Sequence, residues 1–534
     1  MKLVLPGIIT ILFAFLATAV MSYVAMATAT GPWIEPTLVL LGALIFRALC
    51  SSYSPTTINH AIGLTTAGGA LGGIVAVACG WAFPTLYFLD PSLFNSWLSQ
   101  PFYFCALLGA TVAAGALLAW IIAEISEPYF LHDKNMPFAI GELVSSMIEA
   151  QQRTRESIEL ACGALGATAF NALQGCTRLL PRAITLIPHL SFSIFEIAPI
   201  VIKLEIIALF WAIGFITGHM LAIPLGWGLI SKYVVVDPMQ KLFFASLSKE
   251  SFLLAFITGM VVQGAIRGFL DLPKVISSAF KHLKNSSLKN SFFSPSVSKN
   301  IWYKLGISTV LMCGFLSYFN FSLLAQLYII VFTALCTYQL LIIAGKTGLA
   351  PFPRFATFVM MPGVLLFGFN PVQITIVSTF VEICGGVAVD LLFGRKMAQI
   401  TGIEKRKVLL FQLLGIIATI LCIGIIFWLL INHLGLGTPE LLVQRARARS
   451  LLVQTTQFDY RVMLIGALFS LLLGWAKINT VLVIGGLAMP PDLSIILIIA
   501  GLSTYLVKSK ERYYPFWSGV FAACSLWMVI KTIV

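Results

Sequence analysis

Apolar residues come in long, unalternated runs along this chain, and polar positions gather between them. The run "VLLFQLLGIIATILCIGIIFWLLI" (408–431) shows the type. A membrane barrel strand would alternate polar and apolar positions over about ten residues, and this run does not, so the pattern predicts helices. One helical crossing of a bilayer takes about 20 apolar residues, and by that rule the sequence holds roughly 14 to 16 crossings. The expected fold is all-α, a polytopic helical membrane protein. The opening segment, Lys2 followed by mostly apolar residues to about Thr28, reads as a first membrane helix. A signal-peptide core would span only about 7 to 15 apolar residues.

The longest polar break is "DLPKVISSAFKHLKNSSLKNSFFSPSVSKN" (271–300), near the middle of the 534 residues. It divides the chain into an expected N-terminal membrane half, 1–270, and a C-terminal one, 301–534. No segment is long and polar enough for a soluble domain. The halves are weakly alike: "NHAIGLTTAGGALGG" (59–73) in the first and "AGKTGLAPFPRF" (344–355) in the second each precede apolar runs and a charged segment.

Composition sharpens the class. Hydrophobic residues make up 59% and charged residues 10% of the chain. Soluble domains carry about 25% charged residues, so this chain could not cover a soluble surface. The net charge of +13 is explained by basic cytoplasmic loops rather than by nucleic acid. Lys274, Lys281, Lys284, Lys289, Lys299 and Lys304 bracket the central linker. Arg395, Lys396, Lys405, Arg406 and Lys407 fill a second expected loop, 394–407. "LDPSLFNSWLSQP" (89–101) has no Lys or Arg and is expected to face outward. Arg445, Arg447 and Arg449 fall in an expected loop that simple alternation would place outside, against the charge rule. The ten cysteines lie singly without a C-x-x-C pair and read as small buried hydrophobes. Nothing calls for a cofactor or a metal.

The chemistry concentrates where the apolar runs are interrupted. Gly345-Lys346-Thr347 ends like a phosphate-binding loop, but Leu340 stands where that motif needs a glycine. Pro351 and Pro353 each lack an N–H and disfavour helix just before them. An unwound segment inside a bilayer survives only where it is buried in protein or lines a cavity. Interrupted helices at matching places in two halves point to a transporter's binding site. Residues 346–353 and 65–69 are therefore expected as paired breaks. Lys346, Thr347, Gly348 and Pro351, with Asn59, Thr65 and Thr66, are the candidate solute-binding residues. The alternative for the glycines alone is close helix packing.

Carboxylates in a membrane are expensive and mark function by default. Glu382, mid-way through the run 371–393, is the leading candidate for a coupling proton. Asp390 follows two turns on, and Glu196 precedes Pro199. Glu35 and Glu205 are expected near helix ends without a functional role. A membrane-embedded enzyme acting on a lipid or lipid-linked substrate is the rival class. The six histidines never pair as H-E-x-x-H requires, however, and no second aspartate joins Asp390 for an aspartyl protease.

Several stretches, in order, resemble the oligopeptide transporter family, including its yellow-stripe-like branch. They are the 59–89 stretch, "MPFAIGELVSSMIEAQ" (136–151) and "FEIAPIVI" (195–202), where Ala198 replaces a serine. In "GGVAVDLLFGRKMAQITGIEKRKVLLFQLLG" (385–415), Asp390, Lys396, Gly402, Arg406, Gln412 and Gly415 fall on the family's signature positions. Gly394 and Ala398 depart from it, as Ile62 does in the first signature, which marks a divergent member. The resemblance implies proton-coupled symport of short peptides or metal–chelate complexes across the cell membrane, the inner membrane in a bacterium.

Overall fold

The computed structural model describes residues 4–28, 31, 33–49, 53–131, 136, 138–150, 154–175, 181, 183–190, 200–285, 299–347, 350–454, 459–507 and 510–533. The fold is helical, as the runs predict. Seven helices among the described residues are long and apolar enough to cross a membrane: Val4–Ala27, Pro55–Leu89, Pro101–Pro128, His219–Phe243, Leu323–Gly345, Pro371–Thr401 and Lys405–Leu434. Four shorter apolar helices accompany them. One small antiparallel ladder pairs Ala183–Leu190 with Ile200–Glu205. Glu205, expected at a helix end, instead closes a strand opposite Ala183.

The chain forms two compact units. The first comprises 1–25, 33–153 and 268–433, and the second comprises 26–32, 154–267 and 434–534. Both draw on chain from before and after the central polar segment. That segment begins as helix, because Lys249–Asn285 continues through its first fifteen positions.

In the first unit the Lys405–Leu434 helix shows how the apolar runs divide their faces. Leu410, Leu413, Ile417, Leu421 and Ile425 are exposed at helical spacing, the stripe expected of a lipid-facing surface. Phe411, Gln412, Gly415, Thr419 and Ile423 are buried on the other side. By contrast, the cores of the Pro55–Ala82 and Pro371–Thr401 helices are enclosed all round.

These two helices run antiparallel along one seam with a constant register. Ala67 meets Gly394, Ile74 meets Gly386, and Cys79 lies beside Glu382. A methyl group on Gly386 would stand 2.9 Å from Ile74 Cγ1, so glycine sets the spacing there. The 55–82 helix uses its other glycines in the same way. Gly68 lies against the Phe411 carbonyl, Gly415 against the Gly68 carbonyl, and Gly72 against the Ala14 carbonyl.

The expected break at 65–69 is therefore absent, and the helix is continuous from Pro55 to Ala82. Its backbone hydrogen bonds stay internal, and small residues serve close approach to the 4–27 and 405–434 helices. Ser54 caps its start by accepting from the Thr57 N–H, with Pro55 at the first position, where an N–H is dispensable.

The second-half interruption is real but narrower than 346–353. The Leu323–Thr347 helix includes Lys346 and Thr347, and the next helix begins at Phe352 with Pro351 as its N-cap. Ala350 and Pro351 are non-helical, and Gly348 lies outside the described residues. The Gly345 carbonyl, left over at the first helix's end, accepts from the Phe138 N–H at 2.9 Å.

The basic segment 394–407 is likewise mostly helix. Only 402–404 turns, with Gly402 at φ +71° ending one helix and Lys405 opening the next. Glycine suits that left-handed position.

In the second unit, Gly259 and Gly466 let the 249–285 and Tyr460–Trp475 helices touch through the Met463 and Phe256 carbonyls. Arg445, Arg447 and Arg449 occupy a short helix, Gln444–Val453, rather than a loop, and Arg449 is buried. Its preceding residue, Val443, donates its N–H to the Met26 carbonyl at 2.7 Å.

Candidate functional site

Three buried polar side chains of the first unit converge on one crevice. Asp390 reaches it from the 371–401 helix, Thr66 from the 55–82 helix, and Glu35 from the first turn of Glu35–Leu49. Their relative exposures are 3%, 2% and 5%, so all three side chains are held away from bulk solvent. Ala70, Ile140 and Met397 are among its apolar walls. The cavity, about 10 Å³, is close to the space that one water takes and far below the roughly 300 Å³ of ordinary organic-ligand pockets. It suits a guest of about water size, not a peptide.

The Glu35 and Asp390 carboxyl groups lie within reach of one another, and Glu35 also lies near the backbone N–H groups of Ile34 and itself. Even so, neither Glu35 oxygen, nor Asp390 Oδ2, nor Thr66 Oγ1 makes a hydrogen bond of good geometry. Buried polar atoms are nearly always satisfied, so this convergence is unusual. The neighbouring threonine shows the ordinary solution, since Thr65 Oγ1 donates to the Ala61 and Ile62 carbonyls at 3.0 Å each.

Arg395 and Lys396, the nearest cations on the same helix, are engaged elsewhere. Arg395 Nη1 donates to Glu127 Oε2 at 3.0 Å, its Nε donates to Gln412 Oε1 at 3.3 Å, and its guanidinium lies over the Trp120 ring. Lys405 Nζ holds the other Glu127 oxygen at 2.7 Å. Lys396 Nζ donates to the Leu131 carbonyl at 3.3 Å, closing the end of the Pro101–Phe130 helix.

Gln412, on one of the signature positions, ties the 371–401 and 405–434 helices together. Gln412 Nε2 donates to the Leu391 carbonyl, and Gly394 leaves room for that amide, since a methyl there would come within 2.8 Å of Nε2. A larger side chain at 394 would have to move Gln412. Arg406 is exposed on the first turn of the 405–434 helix.

Glu382 is fully enclosed beside Cys79. Thr379, one turn before it, donates its hydroxyl to the Thr375 carbonyl at 2.7 Å. Eight residues separate Glu382 from Asp390, about 12 Å along the helix.

Of the residues singled out in the sequence, the crevice gathers Thr66 and Asp390. Asn59 is half-buried on the 55–82 helix outside the crevice lining, Pro351 is exposed, and Glu196 lies outside the described residues. The sequence pattern assigns Glu35 to a helix end without a role. It does sit at a helix end, but that end is packed inside the unit, and no local sequence pattern reveals that it opposes Asp390.

Apolar helices with a carboxyl-lined crevice between them define an integral, multi-pass membrane protein with a polar site inside its bundle. A family model described as OPT oligopeptide transporter protein matches residues 251–531, just over half of the chain. The chain belongs to the oligopeptide transporter family, and it is a transporter rather than an enzyme. The match includes the signature stretch 385–415, and the first-half resemblances lie outside it. No curated protein matches the chain.

Proposed function

We propose that this protein is a secondary active transporter that couples proton entry to the uptake of short peptides or metal–chelate complexes across the cell membrane. The observation that carries the reading is the enclosed 371–401 helix with two buried carboxyl groups, Glu382 and Asp390, both on the side of the 55–82 helix. Carboxyls so placed are kept for a purpose, because burying a charge in a bilayer is costly. A group that takes a proton in one access state and releases it in another supplies the coupling. Solute binds separately, at the second-half interruption, where Lys346 and Thr347 close one helix and Pro351 opens the next. A positive helix end and a lysine suit an anionic or zwitterionic solute.

Glu382→Gln and Asp390→Asn, reconstituted in proteoliposomes, test the coupling. Both keep shape and hydrogen-bonding capacity but cannot cycle a proton. The expected result is loss of pH-gradient-driven accumulation with solute exchange retained. Full accumulation by both variants would refute the assignment. Lys346→Ala is expected to weaken solute affinity, and unchanged affinity would remove that residue from the site.

A further inference from the structure

We propose that Glu35, Asp390 and Thr66 form a binding site for one small monovalent cation, either a proton shared between the carboxyls or a sodium ion held by their oxygens. The inference deepens the coupling reading at Asp390 by giving it a partner and a ligand. Three elements bring oxygen donors to one enclosed crevice, and four of those oxygens have no hydrogen-bond partner of good geometry. An all-oxygen donor set suits a hard cation.

The charge balance points the same way. Two carboxylates side by side in a low-dielectric site repel one another and are poorly solvated, so the pair needs a compensating positive charge. Among the described residues no cationic side chain lines the crevice. From the 371–401 helix, Arg395 is taken up by Glu127 and Gln412, and Lys396 by the Leu131 carbonyl. From the Ala139–Ala150 helix, Ile140, Gly141 and Val144 face the site, and Glu142 is exposed. From the 55–82 helix, Thr66, Ala67 and Ala70 line it. Glu35 and Asp390 are thus the titratable groups that face one another there.

Thr66 distinguishes a binding site from a merely buried acid pair. Its neighbour Thr65 returns its hydroxyl to the helix backbone, whereas Thr66 Oγ1 lines the crevice without a hydrogen-bond partner. A hydroxyl can supply a third oxygen to a sodium ion or donate to whichever carboxylate stays ionised.

The test uses the full chain in lipid nanodiscs and needs no transport. Thermal melting is followed in sodium chloride against choline chloride at equal ionic strength, and separately across pH, for wild type, Glu35→Gln and Thr66→Val. Sodium binding is read as a sodium-specific rise in melting temperature that Glu35→Gln loses and Thr66→Val reduces. Proton binding is read as a sodium-independent profile whose pH dependence flattens in Glu35→Gln and shifts in Thr66→Val. Either result supports the site and names its ligand. Identical sodium and pH responses in all three proteins overturn it. Thr66→Val keeps both carboxyls and the side chain's shape, so it decides the matter if Glu35→Gln fails to fold. A cation response in wild type, with gradient-driven transport unaltered in Asp390→Asn, would uphold this site while refuting the coupling reading. Lost coupling in Asp390→Asn with no cation response in wild type would do the reverse.

Discussion

Arg395 and Glu127 face one another across 3.0 Å, joining the 371–401 helix to the 101–130 helix with side chains only 2% and 11% exposed. Breaking a buried ion pair by removing one partner typically costs about 3–5 kcal/mol, because it leaves an uncompensated charge. Glu127→Gln is expected to lower stability by an amount of that order, measured by thermal or denaturant unfolding in detergent. Arg395→Met combined with Glu127→Gln should recover much of the loss, since no buried charge remains. A double variant as unstable as the simple sum would show that the two residues act independently.

The glycine contacts predict a contrast between positions. Gly68 and Gly415 lie against each other's helix, so Gly415→Val forces the 55–82 and 405–434 helices apart, an overpacking cost of about 1–3 kcal/mol. Nothing lies within 4 Å of a methyl placed on Gly314 in the Lys299–Tyr318 helix. Gly314→Ala is therefore expected to stabilise by roughly 0.5–1 kcal/mol through helix propensity. Equal melting temperatures for the two variants would contradict the packing account.

Asp90 gives a pH dependence outside the membrane-spanning segments. The Ser92 hydroxyl, donating at 2.7 Å, and then the Leu93 N–H, at 3.0 Å, hold its carboxyl below the ordinary aspartate range. A lowered value in the folded state means that the cap's contribution is complete above the ordinary aspartate range. It is lost as pH falls through the lowered value. Protection of the Leu93 amide in the Pro91–Leu98 helix should decline over that acid window. Asp90→Asn should show no such decline, and a matching decline in that variant would assign the effect to another group.

Sidedness can be read from two ends of one helix. The indole N–H of Trp428 donates to the Leu98 carbonyl at 3.0 Å, whereas Lys405 opens the same helix, about 35 Å away at 1.5 Å per residue. Segment 89–101 and the 402–407 turn thus sit at opposite ends of that helix. The charge rule places the basic end, with the 271–300 segment, in the cytoplasm. Cysteines substituted for the exposed Ser96 and Arg406 should label from opposite sides with an impermeant reagent in intact cells. Labelling of both from outside would reject this orientation.

The sequence shows its fold class plainly, because unalternated apolar runs admit little but helices. It is less informative where the meaning of a residue depends on what faces it. The glycines at 68, 69, 72 and 73 fit either a break or a packed face, and only the carbonyls of Phe411 and Ala14 decide for packing. Charge in the 394–407 stretch suggested a loop, yet Arg395 and Lys396 find an anion and a carbonyl close enough to stay helical. Asp390 was legible as a carboxyl in an apolar run. Its partner Glu35 was not, since 355 positions separate them and only the fold closes that distance.

The enclosure of the 55–82 and 371–401 helices also bears on biosynthesis. Neither needs to satisfy lipid in the finished protein, which is what allows threonines, glycines and carboxyls on them. A ribosome finishes the first of these helices nearly three hundred residues before it begins the second. In that interval Gly69 and Gly72 can dock on the already completed 4–27 helix, but the face bearing Thr66 still lacks the helix that carries Asp390. The crevice is thus among the last features of its unit to come into being. A chain truncated before residue 371 would carry Glu35 and Thr66 into the membrane with half of their site unmade.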